Sequence, residues 1–348
     1  VWFQGRGLWL YAKLCNTYGI RDEWLDAARL GYRFLNEHCF DDDGRMFFQL
    51  TTDGKPLRKR RYMFSETFAV IAFAEYAKAT GDKGALEKAR KVYDLVVSIY
   101  RDPGNDPYRI PPKFNPAVRP MKAMAVPMIL LNTNHVLRDA DGERGGFYDQ
   151  MARVYINDIL NNFFKPDCKA LLETVGVHGE RLDTPMGRVV NPGHAIEAAW
   201  FLMHEALHFK DDIIMKKALD ILLWSLDLGW DKEYGGIFYY TDIRKFQPEQ
   251  LEWDMKLWWP HTEALYALLL AYGNTRDERF AKWYGKIHEY TFDRFPDRRY
   301  GEWFGYLHRD GTVSHTLKGS VFKGPFHIPR TLLLCAELLK ARQPDFMD

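Results

Sequence analysis

Three of the eleven histidines in this 348-residue chain stand at the openings of apolar, helix-like segments: His194 in "NPGHAIEAAW", His261 in "WWPHTEALY" and His327 in "GPFHIPRTLL". Each has an ionisable residue within three positions: Glu197, Glu263 and Arg330 respectively. Histidine titrates near neutrality, so either protonation state is available for taking or returning a proton. Asn191 reads as an N-cap and Pro192 as the first helical residue. That puts His194 in a first turn whose backbone N–H groups disfavour an imidazolium, so a neutral, proton-accepting ring is expected. His261 and Glu263 are two apart and point in different directions on a helix; Glu263 is expected to turn inward. Pro325 and Pro329 restrict the backbone on either side of His327 and would hold its ring in one place. Arg6 in "FQGRG", Glu66 in "FSETF" and Lys122 in "RPMKAM" open three further segments of the same kind.

Two neutral histidines, an arginine and a carboxylate suit proton removal from a carbon next to a carbonyl. One histidine takes the proton, the other returns it on the opposite face, and the arginine stabilises the oxygen on which enolate charge develops. Inversion at that carbon needs no redox cofactor. Neither HExxH nor any other zinc-ligand spacing occurs, so no metal is expected. The chain also lacks a Gly-rich phosphate loop and a nucleophile elbow.

The elements that would gather these residues recur along the chain. Four apolar segments open near a proline, at Pro120, Pro192, Pro260 and Pro325, in steps of 72, 68 and 65 residues. Two earlier segments, "RGLWLYAKLCNTYG" and "YMFSETFAVIAFAEYAKATG", extend the series backwards. Each segment except the last is followed by an amphipathic one, such as "ALEKARKVYDLVVSIY", and then by a long Gly/Asp/aromatic connection with hairpin-like alternation. The rhythm predicts an all-α protein, an (α/α)6 barrel in one domain spanning 1–348, with first-type helices inside and second-type helices outside. An open helical solenoid is the alternative. Six first-type segments face five second-type ones. A further helix ahead of Val1 would complete the pairs, and the first outer helix is expected to be missing from the chain. In a closed barrel the long loops share one end with the openings of the inner helices. Arg6, Glu66, Lys122, His194, Glu197, His261, Glu263, His327 and Arg330 would ring that mouth, with Trp303 from the loop "YGEWFGYLHRDG" against the substrate.

Composition narrows the partners. The 48 basic and 47 acidic residues nearly cancel, which gives no reason to expect nucleic acid or an anionic membrane. Eleven Trp, 19 Tyr and 23 Phe are enough to line a carbohydrate site as well as a core. Four scattered cysteines without metal spacing point to reduced thiols and a cytoplasmic protein, and no run reaches transmembrane length.

Several stretches together resemble the N-acylglucosamine 2-epimerases, also called renin-binding proteins. They are "FQGRGLWLYAKL", "FFQLTTDGKPL", "NPGHAIEAAWFLMHEA", "QLEWDMKLWWPHTEALYALLLAY" and "FKGPFHIPRTLLLC". The resemblance implies an (α/α)6 barrel interconverting N-acetyl-D-glucosamine and N-acetyl-D-mannosamine. It implies His194 and His327 as the acid/base pair, with Arg6, Glu197 and Glu263 completing the set. It further implies a homodimer, no cofactor for the chemistry itself, and in several members activation by ATP. Some members carry cysteine where this chain has Pro325, so no role of that cysteine transfers. Relatives in the superfamily epimerise cellobiose or isomerise mannose. Two other classes are an (α/α)6 glycoside hydrolase using two of Glu66, Glu197 and Glu263, and a binding protein without catalysis.

Overall fold

The computed structural model describes residues 1–115 and 117–342. Eleven long helices and one short one are found among them: α1 Trp2–Tyr18, α2 Asp22–His38, α3 Phe64–Thr80, α4 Lys83–Arg101, α5 Ala125–Ala140, α6 Gly145–Asp158, the single turn α7 Pro185–Arg188, α8 Pro192–Phe209, α9 Asp212–Gly229, α10 Trp258–Thr275, α11 Glu278–Arg294 and α12 His327–Ala341. The alternation expected from sequence is present, with α1, α3, α5, α8, α10 and α12 as first-type helices. Helices α3, α8 and α10 are buried on nearly every side over their first three turns, as all-round apolar helices must be. Their successors bury one stripe: in α4 it is Ala85, Ala89, Val92, Tyr93, Val96 and Val97. None of the helices is long and apolar enough to cross a membrane, and the four cysteines are all unpaired.

A two-residue device turns three of the helix pairs. Helices α3, α8 and α10 end on a left-handed residue, Gly81 (φ 73°), Lys210 (φ 53°) and Arg276 (φ 56°). The next residue in each case is an aspartate, Asp82, Asp211 or Asp277, whose carboxylate caps the following helix by accepting backbone N–H groups.

The long loops repeat as well. After α2, α9 and α11, bridges Phe40–Met46, Trp230–Ile237 and Pro296–Trp303 close tight turns on Asp41, Asp231 and Asp297. Each aspartate is paired to a lysine nearer the next first-type helix: Lys59 at 2.6 Å, Lys256 at 2.9 Å and Lys318 at 2.5 Å. The Asp231–Lys256 pair is buried outright, and burial lowers the Lys256 amine to about 8 against the pull of Asp231. The expected hairpins are only part of the β structure, because three two- or three-residue ladders join one loop to another. They pair Met121–Ala123 with Thr174–Gly176, Val189–Val190 with Thr241–Asp242, and Lys256–Leu257 with Tyr306–Leu307.

Packing groups the chain into two compact units. The first comprises Val1–Arg119, Ile129–Tyr155 and Val321–Phe326. In it α1 packs on α2 and α3, and α3 on α4. The second comprises Pro120–Met128, Ile156–Ser320 and the chain from His327 onward. There α8 packs on α9 and α10, and α10 on α11 and α12.

The proline rule needs one correction. Pro120 and Pro325 precede their helices, and Pro127 and Pro329 are the first-turn prolines of α5 and α12. The missing N–H costs nothing in a first turn, so the third helical position serves as well as the first.

Candidate functional site

The second unit builds the site on three neighbouring first-type helices. Helical spacing explains the selection: His194, Glu197 and Trp200 recur every third residue along one face of α8. Trp259 and Glu263 are four apart on α10, and His327 and Arg330 three apart on α12.

The start of α8 is made by four consecutive residues with separate duties. Asn191 caps it, accepting the His194 N–H at 3.0 Å, and Pro192 is the first helical residue. A Cβ on Gly193 would stand 2.4 Å from the Trp259 ring, so glycine is what lets that indole lie against the helix start. His194 then packs on Trp259 with ring centroids 5.3 Å apart. The same indole lies 5.7 Å from the His327 ring. One tryptophan therefore touches both histidines.

A carboxylate fixes each imidazole. His327 Nδ1 donates to Glu263 Oε1 at 2.7 Å, and His194 Nδ1 donates to the two oxygens of Glu173 at 3.2 and 3.1 Å. Donation from Nδ1 makes Nε2 the basic nitrogen of each ring. The two carboxylates differ in their surroundings. Glu263 is 1% exposed and fully engaged: Arg330 donates to Oε1 at 2.6 Å and Trp200 Nε1 to Oε2 at 2.9 Å. Burial alone would raise its pKa. The Arg330 charge and the His327 bond outweigh it and hold Glu263 at about 2. Arg330 also reaches Glu197 at 2.8 Å. Burial and the neighbouring Glu263 charge raise the pKa of Glu197 against the pull of Arg330. Oxygen and nitrogen atoms of Glu197, Glu263 and His327 lie within 4.8 Å of one another, a metal-like grouping. The positive charge among them is Arg330, whose NH2 bonds both carboxylates, and a cation would have to displace it.

Other sequence candidates take different places. His261 turns away: its Nδ1 donates to Leu257 O at 2.6 Å and its Nε2 accepts the Ile237 N–H at 2.9 Å. Fully buried and with its pKa lowered to about 3 by that burial, it is a neutral clamp on the loop and not a sugar contact. Arg330 is likewise turned to the carboxylates rather than outward as a sugar ligand. Trp303 packs on Phe292 and Phe295, at 5.3 and 6.2 Å, and so serves the loop core. Lys122 lies in a strand, not a helix start, 3.9 Å from Asp158 and 40% exposed. In the first unit, Glu66 accepts from Arg45 Nε at 2.7 Å and from the Met46 N–H at 2.8 Å, an interior ion pair. Arg6 there stacks its guanidinium on Phe68 at 4.3 Å and donates to Phe322 O at 3.0 Å.

Sequence reading missed Glu173, Trp200 and Trp259. Glu173 lies in "ALLETVGV", between short strands, and its only signal is a lone carboxylate inside an apolar run.

The chain has relatives among known proteins. The N-acylglucosamine 2-epimerase (GlcNAc 2-epimerase) family model matches residues 1–327. The chain belongs to this family. It is 41% identical over 344 residues to the N-acylglucosamine 2-epimerase of Bos taurus, covering 97% of this chain and 81% of that protein. Identity to the cellobiose 2-epimerase of Dictyoglomus turgidum is 24% over 342 residues, 96% of this chain and 85% of the other. The structure of cellobiose 2-epimerase from Bacillus thermoamylovorans superposes with a TM-score of 0.83 at 20% identity, covering 97% of this chain and 87% of that one. That likeness bears out the fold class expected from the helical repeat. As a member of this family the protein is a carbohydrate epimerase, an isomerase by class.

Proposed function

We propose that this epimerase interconverts N-acetyl-D-glucosamine and N-acetyl-D-mannosamine by moving the proton at C2 of the ring-opened sugar. The observation that carries the reading is the pair His194 and His327, each with Nδ1 committed to a carboxylate and both in contact with Trp259. Nε2 of one histidine takes the C2 proton, and the C–H electron pair moves onto the aldehyde oxygen as an enolate. The imidazolium of the other returns a proton to the opposite face, and the enolate collapses to the epimeric aldehyde. Glu263 stabilises the imidazolium form of His327, and Glu197 supplies a hydrogen bond to a sugar hydroxyl. Arg6, which the resemblance places in the functional set, is the cation proposed for the enolate oxygen, and Arg6→Lys tests that assignment. The amino-sugar substrate is favoured by the higher identity to the N-acylglucosamine enzyme than to the cellobiose enzyme. Activation by ATP and assembly as a homodimer belong to the same proposal.

The test incubates the protein separately with N-acetyl-D-mannosamine, cellobiose and D-mannose, each with and without ATP, and identifies products by NMR. Formation of N-acetyl-D-glucosamine supports the proposal. Turnover of cellobiose or mannose alone moves the substrate to those sugars. Release of reducing sugar from an oligosaccharide would replace epimerisation with hydrolysis.

A further inference from the structure

A two-histidine epimerisation starts with the rings in opposite states, one neutral to take the proton and one protonated to supply it. The surroundings of His194 and His327 are unequal in a way that bears on which is which. Around His327 the negative charge of Glu263 is shared among three donors, His327, Arg330 and Trp200. The Arg330 NH2 also stands 3.5 Å from His327 Nδ1, and it is a permanent cation. Trp258 and Trp259 also pack on that ring, with centroids 6.3 and 5.7 Å away.

Around His194 the arrangement is simpler. Glu173 gives both its oxygens to His194 Nδ1, and among the described residues its charge is shared with no lysine or arginine. Its backbone is tied on both sides, with the Glu173 N–H donating to Val189 O and the Glu173 carbonyl accepting the Met124 N–H, so the carboxylate has a fixed origin. Also near this corner are Glu197 on α8, Trp259 on α10, and the phenols Tyr239 and Tyr240, whose pKa values the Glu173 charge helps to raise. Among the described residues no arginine is paired with Glu173, whereas one is bonded to the carboxylate beside His327.

The geometry points to Glu173 as the positioning residue of His194: it holds the Nδ1–H tautomer, and its full charge outweighs the first turn of α8, which by itself favours the neutral ring expected from sequence, so that His194 rests protonated while His327, in the first turn of α12 and beside Arg330, rests neutral. The inference deepens the proposed proton-transfer reading and rests on it for its catalytic consequence. In the first half-reaction the C2–H bond breaks and the proton goes to His327 Nε2. In the second the His194 Nε2–H proton goes to C2, and the charges of the two rings have exchanged. No electrons leave the substrate, and no co-reactant is required.

The direct test needs no substrate. Histidine 15N NMR of the full chain at pH 7, with signals assigned by loss in His194→Asn and His327→Asn, reads tautomer and protonation together. The expected result is His194 with both nitrogens protonated and His327 neutral with the proton on Nδ1. In Glu173→Gln, His194 becomes neutral while His327 is unchanged. A neutral His194 in the unsubstituted protein, or a His194 signal indifferent to Glu173→Gln, would overturn the inference. A kinetic arm separates positioning from mere structure. With His194 impaired, His327 can still remove and return the C2 proton of one epimer. Glu173→Gln should therefore slow inversion about 100-fold while solvent deuterium still enters C2 of that epimer. Equal loss of exchange and inversion in a protein that melts normally counts against Glu173. If the unsubstituted protein itself leaves N-acetyl-mannosamine untouched, the substrate reading fails and the NMR result stands by itself.

Discussion

Glu66 at the start of α3 and Glu263 in the second turn of α10 look alike by burial, since each is 1% exposed, and each faces an arginine that also reaches a second carboxylate. Arg45 joins Glu66 to Asp106, and Arg330 joins Glu263 to Glu197. They differ in how many of their lone pairs are used. Both Glu263 oxygens accept hydrogen bonds, whereas Glu66 Oε2 is buried and accepts none. Burial accordingly dominates at Glu66 and raises its pKa, whereas at Glu263 arginine and histidine prevail and lower it. A buried ion pair is by itself scaffolding. It becomes machinery when a proton carrier such as His327 shares the same carboxylate.

The largest effect that would break this contrast is kinetic. Glu263→Gln removes the charge that supports the His327 imidazolium and should lower kcat by about 10²–10⁴. Glu66→Gln keeps the size and one accepting oxygen of a side chain bonded to Arg45 and the Met46 N–H, and should leave kcat within about threefold, since isolated polar changes away from the chemistry cost little. Equal losses in steady-state assays would mean that both glutamates serve the same purpose. Glu66→Ala, by contrast, strands part of the Arg45 charge and should cost about 3 kcal/mol in denaturant melts.

Next in size is Gly193→Ala. Its methyl group must push Trp259 from between the histidines, costing about 1–3 kcal/mol of stability as overpacking does. The activity loss should exceed what the melting curve accounts for.

Acid sharpens the comparison in sign. Glu263 is held at about 2, below the ordinary 4.5, so its contribution is complete above roughly pH 5 and fades as pH falls toward 2. Glu66 is raised, so its contribution runs the other way and is lost as pH rises through its folded value. Melting temperatures of the unsubstituted protein and Glu263→Gln should converge between pH 5 and 3, and a constant gap would contradict the assignment. The smallest effect belongs to Lys122→Ala, exposed and only 3.9 Å from Asp158, which should shift stability by less than about 0.5 kcal/mol and leave kcat unchanged.

These contrasts show what could be read before the coordinates. The helical repeat was legible because part of its punctuation is local: a proline in or just before four first-type helices is set by residues adjacent in sequence, whereas the capping aspartate after each left-handed turn went unread. His194, Glu197, Glu263 and His327 were legible because helical spacing puts partners three or four residues apart on one face. Position in a first turn does not say which way a side chain points. His261 therefore went to the Ile237 N–H, and Arg330 to two carboxylates. Glu66 and Trp303 were claimed by loop partners that spacing cannot predict. Glu173 was invisible for the same reason, since it reaches His194 from an irregular segment and 21 residues separate the two.

The most direct measurement of the central claim follows C2 of N-acetyl-D-mannosamine by proton NMR in D2O, with the unsubstituted protein, His194→Ala and His327→Ala. The account predicts a gluco product carrying deuterium at C2. Inversion should be abolished in both variants, with residual exchange in a different epimer for each. Inversion that retains the original C2 proton throughout, or that survives loss of either histidine, would contradict it.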